Sequence, residues 1–395
     1  MKFPDETSLA VFSLVSYSLL LTTKCVLAFR VIHRQKRALH SSPTEIAADT
    51  ITIAQPILSG DPLLSEKLAC TLNSLPNTVR FIWLVDSSDP EGLRITDALS
   101  RTHGNVQVIH CEDSPDSVNP KSFKLQKALD QAQTEYFAVL DDDTTLDARS
   151  LQGSLLFLQS CDLYTGLPCY HADAGFWSRL VAHFVNNNAV ITYLPLLNFF
   201  PPVSINGMFY VLRTQPWRDI GGYIFILHLL CDDYAVKRHA ATNGWKVMQG
   251  ITSLNVQTSV QGASHYVSLM HRWMLFATLL MFDQSLRMQF LLTLMLGIPP
   301  LLLWMAMISC VGSLSWNCLA GLGLLLVLRH ATLKRLHRAA FGQQQNFGCL
   351  LSLLSELLQP FHAVHGLCVR TIRWRSRVIR VDTENQFVIQ QGAAP

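Results

Sequence analysis

Asp141 and Asp143 stand two residues apart, directly after the apolar run Tyr136–Leu140. On an extended segment alternate side chains point the same way, so the two carboxylates can approach one cation together. Oxygen ligands of this kind suit Mg2+ or Mn2+, which would bridge to substrate phosphates. The plainer alternative is a solvated polar turn. Asp232 and Asp233 follow a second apolar run, Ile224 to Cys231, and precede a helical pattern from about Tyr234 to Thr242 that stops near Gly244. At a helix start they can act as dipole-stabilised capping acids. Alternatively, one is a general base that takes a proton from an acceptor hydroxyl. Arg272-Trp273 precedes a long apolar block. The guanidinium could hold a leaving diphosphate and the indole could pack an acceptor, or the pair simply marks a membrane interface.

These residues need elements to hold them. Ile51–Ala54 reads as a strand, followed by a turn at Ser59-Gly60-Asp61-Pro62 and by leucines at helical spacing from Leu63 to Leu75. Phe81–Val85 is a continuous apolar strand with Asp86 at its carboxyl end, and Asp89-Pro90 opens the next helix. Val106–Ile109 is a further strand, Lys121 to Gln133 a helix, and Tyr136–Leu140 the strand that delivers Asp141. Alternation of this kind predicts an α/β layer with a mainly parallel sheet, whose ligands sit beyond the carboxyl ends of the strands. Neither GxGxxG nor GxxxxGK[ST] follows the first strand, which argues against a dinucleotide enzyme or a P-loop NTPase.

The chain has 395 residues, of which 49% are hydrophobic and only 15% charged, with a net charge of +3. That excludes a disordered chain, and so small a positive charge does not suggest nucleic acid as a partner. The apolar residues cluster. Thr7 to Thr23 carries no charge, and the apolar stretch runs on past Lys24 to Phe29, with Lys24 expected to snorkel to the surface. Arg30, Arg34, Lys36 and Arg37 then place the chain beyond this stretch in the cytoplasm by the positive-inside rule. An uncleaved anchor fits better than a signal peptide, which wants a basic start and a small-residue cleavage site. Met288 to Leu328 is free of Asp, Glu, Lys and Arg. It accommodates two spanning helices turning near Gly312-Ser313, the first kinked at Pro299-Pro300. Ala339 to Val369 either spans, lies in the interface or re-enters, and Leu180 to Leu212 is either buried core or a face dipping into the bilayer. The basic tail with Trp374 reads as an anionic-lipid contact or a topology anchor. The expected domains are an anchor over 1–32, a cytosolic catalytic domain over 45–280, membrane helices over 281–369 and a basic cytosolic tail over 370–395. The ten cysteines contain no CxxC pair, so no disulfide framework or zinc knuckle is expected.

Taken in order, the motifs resemble the ceramide glucosyltransferase-like branch of membrane-bound inverting glycosyltransferases. That resemblance implies an α/β GT-A (Rossmann-like) domain with an N-terminal transmembrane helix and C-terminal transmembrane or interfacial helices. It assigns Asp86 to nucleotide contact, Asn119-Pro120-Lys121 to the donor site, and Asp141 and Asp143 to the metal. Gly166-Leu167-Pro168 and Gly207-Met208 match further family segments, the latter near the acceptor. Asp233, in Asp232-Asp233-Tyr234, takes the position of the catalytic base, and Arg272-Trp273 ends the family's (Q/R)xxRW motif. Leu269 stands where that motif has Gln or Arg, which weakens a processive, polymer-forming reading. The resemblance thus implies a nucleotide-sugar donor, most simply a UDP-sugar, a divalent cation, and a lipid acceptor of ceramide, diacylglycerol or hopanoid type. A processive polysaccharide synthase and a non-catalytic membrane scaffold are the alternatives.

Overall fold

The computed structural model describes residues 5–41, 48–115, 117–173, 175–342, 348–374, 377–381 and 387–389. They divide into two compact units. One is an α/β unit formed by residues 35–170, 201–257 and 371–395; the other is helical and formed by 1–34, 171–200 and 258–370.

The α/β unit is built on an eight-stranded sheet. Its strands are β1 (Ile51–Ile57), β2 (Arg80–Asp86), β3 (Val106–Cys111), β4 (Tyr136–Leu140), β5 (Thr144–Thr145), β6 (Leu163–Ala172), β7 (Phe209–Arg213) and β8 (Val247–Thr258), in the order β3-β2-β1-β4-β7-β6-β8-β5. The first four are parallel, and β7 returns antiparallel against β4, with Leu140 opposite Phe209. The chain steps outward from β1 to β3 and then back to the far side of β1 for β4. That reversal opens a crevice at the carboxyl ends of β1 and β4, where open α/β sheets bind ligands.

The apolar runs are continuous because both faces of the sheet are covered. Phe81, Trp83 and Val85 pack into one core with Ile51, Ile53, Ala138, Leu140 and the leucines of the helix Leu64–Ser74. Ile82 and Leu84 pack into the other with Phe137, Val139, Leu125 and Leu129. Each Leu, Ile, Val or Phe among them, fully buried, contributes roughly 1.5–3 kcal/mol. Gly166 in β6 answers a packing need: a Cβ there would lie 2.5 Å from the carbonyl oxygen of Thr252 in β8. The glycine of the Gly-Leu-Pro segment is therefore accounted for by the close approach of two strands. Thr371–Trp374, Arg377–Val381 and Phe387–Ile389 form a separate antiparallel sheet, so the described part of the basic tail is largely strand; Arg375 lies outside the described residues.

The helical unit contains the apolar blocks. Among the described residues three helices are long and apolar enough to cross a membrane: Glu6–His40, Leu286–Gly312 and Trp316–Phe341. The last two are joined through Ser313–Ser315, as the sequence predicts. Of Ala339 to Val369, the described part beyond the third of these helices forms two short ones, Cys349–Leu357 and Gln359–Cys368, each too short to span. The uncharged stretch from Leu180 forms the helix Phe176–Asn188 with a π-turn, Ala189–Tyr193, and most of these residues are buried.

Lys24 corrects an expectation. It does not snorkel; it is buried, and its Nζ donates to the carbonyl of Met295 at 2.6 Å. Met295 lies four residues before Pro299 and five before Pro300, within a π-turn at Thr293–Gly297. Neither proline has an N–H, so neither an α-type nor a π-type bond can satisfy that carbonyl. The lysine supplies the missing donor.

Candidate active site

Three local devices carry acidic and basic groups to the crevice. At the end of β2, Asp86 is buried and ion-paired with Lys124 at 2.8 Å. Next to it Asp89 caps the helix Pro90–Ser100, with Oδ1 accepting from Gly92 N–H at 3.0 Å and Pro90 in the first turn. It also accepts from the backbone N–H (2.8 Å) and hydroxyl (2.6 Å) of Ser59, which follows β1. Hydrogen bonds from Ser59 and Gly92 hold this carboxyl below its ordinary range although burial opposes them.

The second device is the Asn119-Pro120-Lys121 segment. Asn119, fully buried, caps the helix Pro120–Gln131 by accepting from the N–H groups of Lys121 and Ser122. Its own Nδ2 donates to the carbonyls of Leu229 and Leu230 at 3.0 and 3.1 Å. One side chain thus ties the start of the Lys121 helix to the strip of chain that leads into Asp232. Lys121 Nζ reaches Asp141 Oδ1 at 2.7 Å, Asp232 Oδ2 at 3.4 Å and the carbonyl of Gly207 at 2.9 Å.

The third is β4. Its antiparallel partner anchors the turn after it, with Asp141 N–H donating to the Met208 carbonyl at 2.9 Å. Asp142 Oδ2 accepts from Leu58 N–H at 2.8 Å, and Asp143 Oδ1 from the Thr144 hydroxyl at 2.9 Å. Burial pushes the carboxyls of Asp141 and Asp142 up to about 6 and about 7, with Asp143 adding to both; Lys121 pulls Asp141 the other way. Burial raises Asp143 as well. For Lys121 burial works downward, but Asp141 and Asp232 outweigh it and hold the ammonium above the usual lysine range.

Asp232 and Asp233 open the helix Asp232–Thr242. Asp233 Oδ1 accepts from Tyr234 N–H at 2.7 Å and from the Cys231 thiol at 2.9 Å. Gly207 faces it: a Cβ on that glycine would stand 3.1 Å from Asp233 Cβ and 3.7 Å from Oδ2. Burial and the charge of Asp232 push Asp233 up to about 6. A helix start alone would lower a carboxyl, so burial beside a like charge restores base strength.

Lys121 thus joins Asp141 to Asp232, and the Gly207 turn joins both to Asp233. Carboxylates outnumber ammonium groups here: Asp61, Asp141, Asp142, Asp143, Asp232 and Asp233 stand against Lys67, which pairs with Asp61, and Lys121. Negative charge in such excess fits a bound cation. Among the described residues no group of three or more His, Cys, Asp or Glu side chains forms a ready-made metal cage.

Arg272 and Trp273 belong to the helical unit. Both are half-buried in the helix Ala263–Phe282, where Trp273 stacks on Phe184 at 6.4 Å between ring centroids. Sequence reasoning missed Lys124 as the partner of Asp86 and Cys231 as a donor to Asp233. The spacing of Lys121 and Lys124, one helical turn apart, was a usable signal; nothing around Cys231 was.

A model of glycosyl transferase family 21 matches residues 11–387. Among solved structures, a mannosyltransferase from Pyrobaculum calidifontis in complex with GDP-Man and Mn2+ is similar at 16% identity and a TM-score of 0.51, over 90% of this chain and 99% of that one. GalNAc-T7 with UDP, GalNAc and Mn2+ aligns at 9% identity and a TM-score of 0.41, over 58% of this chain and 48% of that one. No curated protein matches the sequence. At 16% identity the mannosyltransferase speaks to the fold alone, and that fold is GT-A. The family match spans nearly the whole chain, and this protein accordingly belongs to glycosyl transferase family 21 and is a glycosyltransferase.

Proposed function

We propose that the protein is an inverting hexosyltransferase that moves one sugar from a nucleotide-sugar, most simply a UDP-sugar, to a hydroxyl of a membrane lipid of ceramide, diacylglycerol or hopanoid type. The observation that carries this reading is the Lys121 bridge. It sets a pair of acidic groups able to hold a cation, Asp141 and Asp143, beside a helix start that presents Asp233. The three helices long and apolar enough to cross a membrane support a lipid acceptor. Donor and metal are supported by the mannosyltransferase of the same fold, which was solved with GDP-Man and Mn2+.

In this reading Asp141 and Asp143 would hold Mg2+ or Mn2+, cations that take carboxylate oxygens as ligands. The ion, when bound, neutralises the diphosphate and makes it a better leaving group. Asp86 orients the nucleotide, with Lys124 fixing its carboxylate. Lys121 holds the donor side of the crevice and keeps Asp141 and Asp232 from repelling each other. Asp233 takes the acceptor proton, so that the hydroxyl attacks the anomeric carbon in line and inverts it. A single displacement needs no second carboxylate as nucleophile. The family motif would give Arg272 to the departing diphosphate, and the indole of Trp273 has the chemistry to pack an acceptor. The catalytic domain, over 45–280, faces the cytosol between an anchor over 1–32 and membrane helices over 281–369, with the basic tail at 370–395 on the same side.

The test is to incubate membranes holding the protein with several labelled sugar nucleotides, with and without a chelator, and to read products by mass spectrometry. A glycolipid carrying one or two sugars, lost on chelation and restored by Mn2+, is the expected result. A long polymer, or no transfer from any donor, overturns the reading.

A further inference from the structure

Cys231 stands at the N-cap of the helix that begins with Asp232, a place usually held by an oxygen-bearing side chain. Its thiol makes no cap bond to that helix's backbone. It is directed instead at the neighbouring carboxylate. We infer that Cys231 is a positioning residue for the base: its S–H and the Tyr234 N–H together occupy Oδ1 of Asp233, which leaves Oδ2 to receive the acceptor's proton. The inference rests on Asp233 being that base.

Three observations carry it. The sulfur–oxygen distance is 2.9 Å, whereas the thiols of Cys111 and Cys161 stand 3.7 and 3.4 Å from the neutral carbonyls they meet. A shorter bond is expected where the acceptor is charged. Cys231 is only 7% exposed, and burial with the charges of Asp233 and Asp232 pushes its thiol pKa far above the usual range, so it remains a donor at any working pH. Finally, the terminal torsion of an aspartate is broad and two-fold, so its oxygens interchange unless something tells them apart. Two donors on Oδ1 do that. Gly207, lacking a Cβ, leaves space on the side of Oδ2.

Loss of the thiol frees the carboxylate to turn and removes a bond that favours its charged form. The other titratable groups facing Asp233 are Asp232 on its own helix, Lys121 on the helix Pro120–Gln131, and Tyr210 on β7. None of them replaces that donor to Oδ1.

The experiment compares Cys231→Ala, Cys231→Val and Cys231→Ser with the parent enzyme in detergent, reading kcat, donor KM, the pH profile of kcat and thermal unfolding. Valine fills the space without a donor, and serine keeps a donor. The expected result is a fall in kcat of about tenfold to a hundredfold for alanine and valine. Donor KM should stay unchanged and the acidic limb should move to higher pH, with both kcat and limb largely restored by serine. Unchanged kcat and pH profile in alanine or valine overturn the inference. So does a serine variant as impaired as those two, which would show that the site needs sulfur's bulk rather than its hydrogen. Asp233→Asn is run beside them: if it stays active, the base reading has failed, whereas an inactive Asp233→Asn with intact alanine and valine variants sinks the cysteine alone.

Discussion

Lys121 in the α/β unit and Arg329 in the helical unit are both cations among acids, and their surroundings could hardly differ more. Arg329 is 2% exposed and its guanidinium is engaged on every side. It donates to Glu356 at 2.6 and 2.9 Å, to the Tyr17 hydroxyl at 3.0 Å, and to the hydroxyl and carbonyl of Ser352 at 3.2 and 3.0 Å. Tyr17 in turn donates to Glu356. One carboxylate meets one guanidinium, and hydroxyls occupy what is left. Lys121 meets two carboxylates directly and has Asp233 near, with Asp142 and Asp143 beside Asp141. In the first cluster acid and base answer each other directly. The second is short of positive charge, and burial makes that shortage costly. Saturation marks a structural centre; a deficit marks a place that waits for a ligand.

The comparison breaks most directly at Asp233. Asn at that position keeps the shape and removes the base, so transfer should fall on the order of 10³-fold, the usual scale for a lost general base. Donor affinity and thermal stability should stay near those of the parent, since a like charge has been taken from a crowded site. Labelled-glycolipid assays alongside donor titration distinguish the two. A variant that unfolds instead would make Asp233 a structural residue like Glu356.

Glu356→Leu is the mirror experiment. It strips a buried guanidinium of its carboxylate, which typically costs about 3–5 kcal/mol. Arg329→Met combined with Glu356→Leu should recover much of that loss, because no uncompensated charge remains. Unfolding in detergent measures both, and activity should follow the folded fraction. A double variant no better than the single would mean that the pair does more than balance charge.

Lys24 offers a smaller version of the same contrast. Lys24→Met leaves the Met295 carbonyl without a donor and should cost about 1–3 kcal/mol. Adding Pro299→Ala returns an N–H at the right spacing and should recover part of it. If Lys24→Met is neutral, the lysine's burial has another cause.

These clusters were unequally legible. Strands ending in Asp86 and Asp141 announce themselves, because a buried parallel strand must be apolar throughout and its first polar residue marks the crevice. The two helices around Ser313 that are apolar enough to cross a membrane are equally plain, since a charge-free stretch of that length has few other uses. Partnerships between distant residues were hidden. Nothing near Lys24 indicates that its nitrogen answers prolines far along the chain, and nothing near Arg329 says that Glu356 and Tyr17 enclose it. Both were fixed by packing within the helical unit. Cys231 was hidden for a different reason: a thiol in an apolar run looks like a small hydrophobe, and only its distance to Oδ1 shows otherwise.

The mildest test uses pH. Burial and Asp232 raise Asp233 to about 6, from an ordinary aspartate value near 4. A carboxyl raised in the folded state holds its proton more tightly there than in the unfolded chain. Its contribution to stability is therefore fully present below about pH 4 and is lost as pH rises through about 6. Activity runs the other way, because only the deprotonated form accepts the acceptor's proton. Transfer should climb about fivefold between pH 5 and pH 6 and level above about pH 7, while that contribution to the melting temperature declines over the same interval. A flat activity profile from pH 5 to 7 would remove the distinction, since it would mean that a raised Asp233 is not the group that moves the proton.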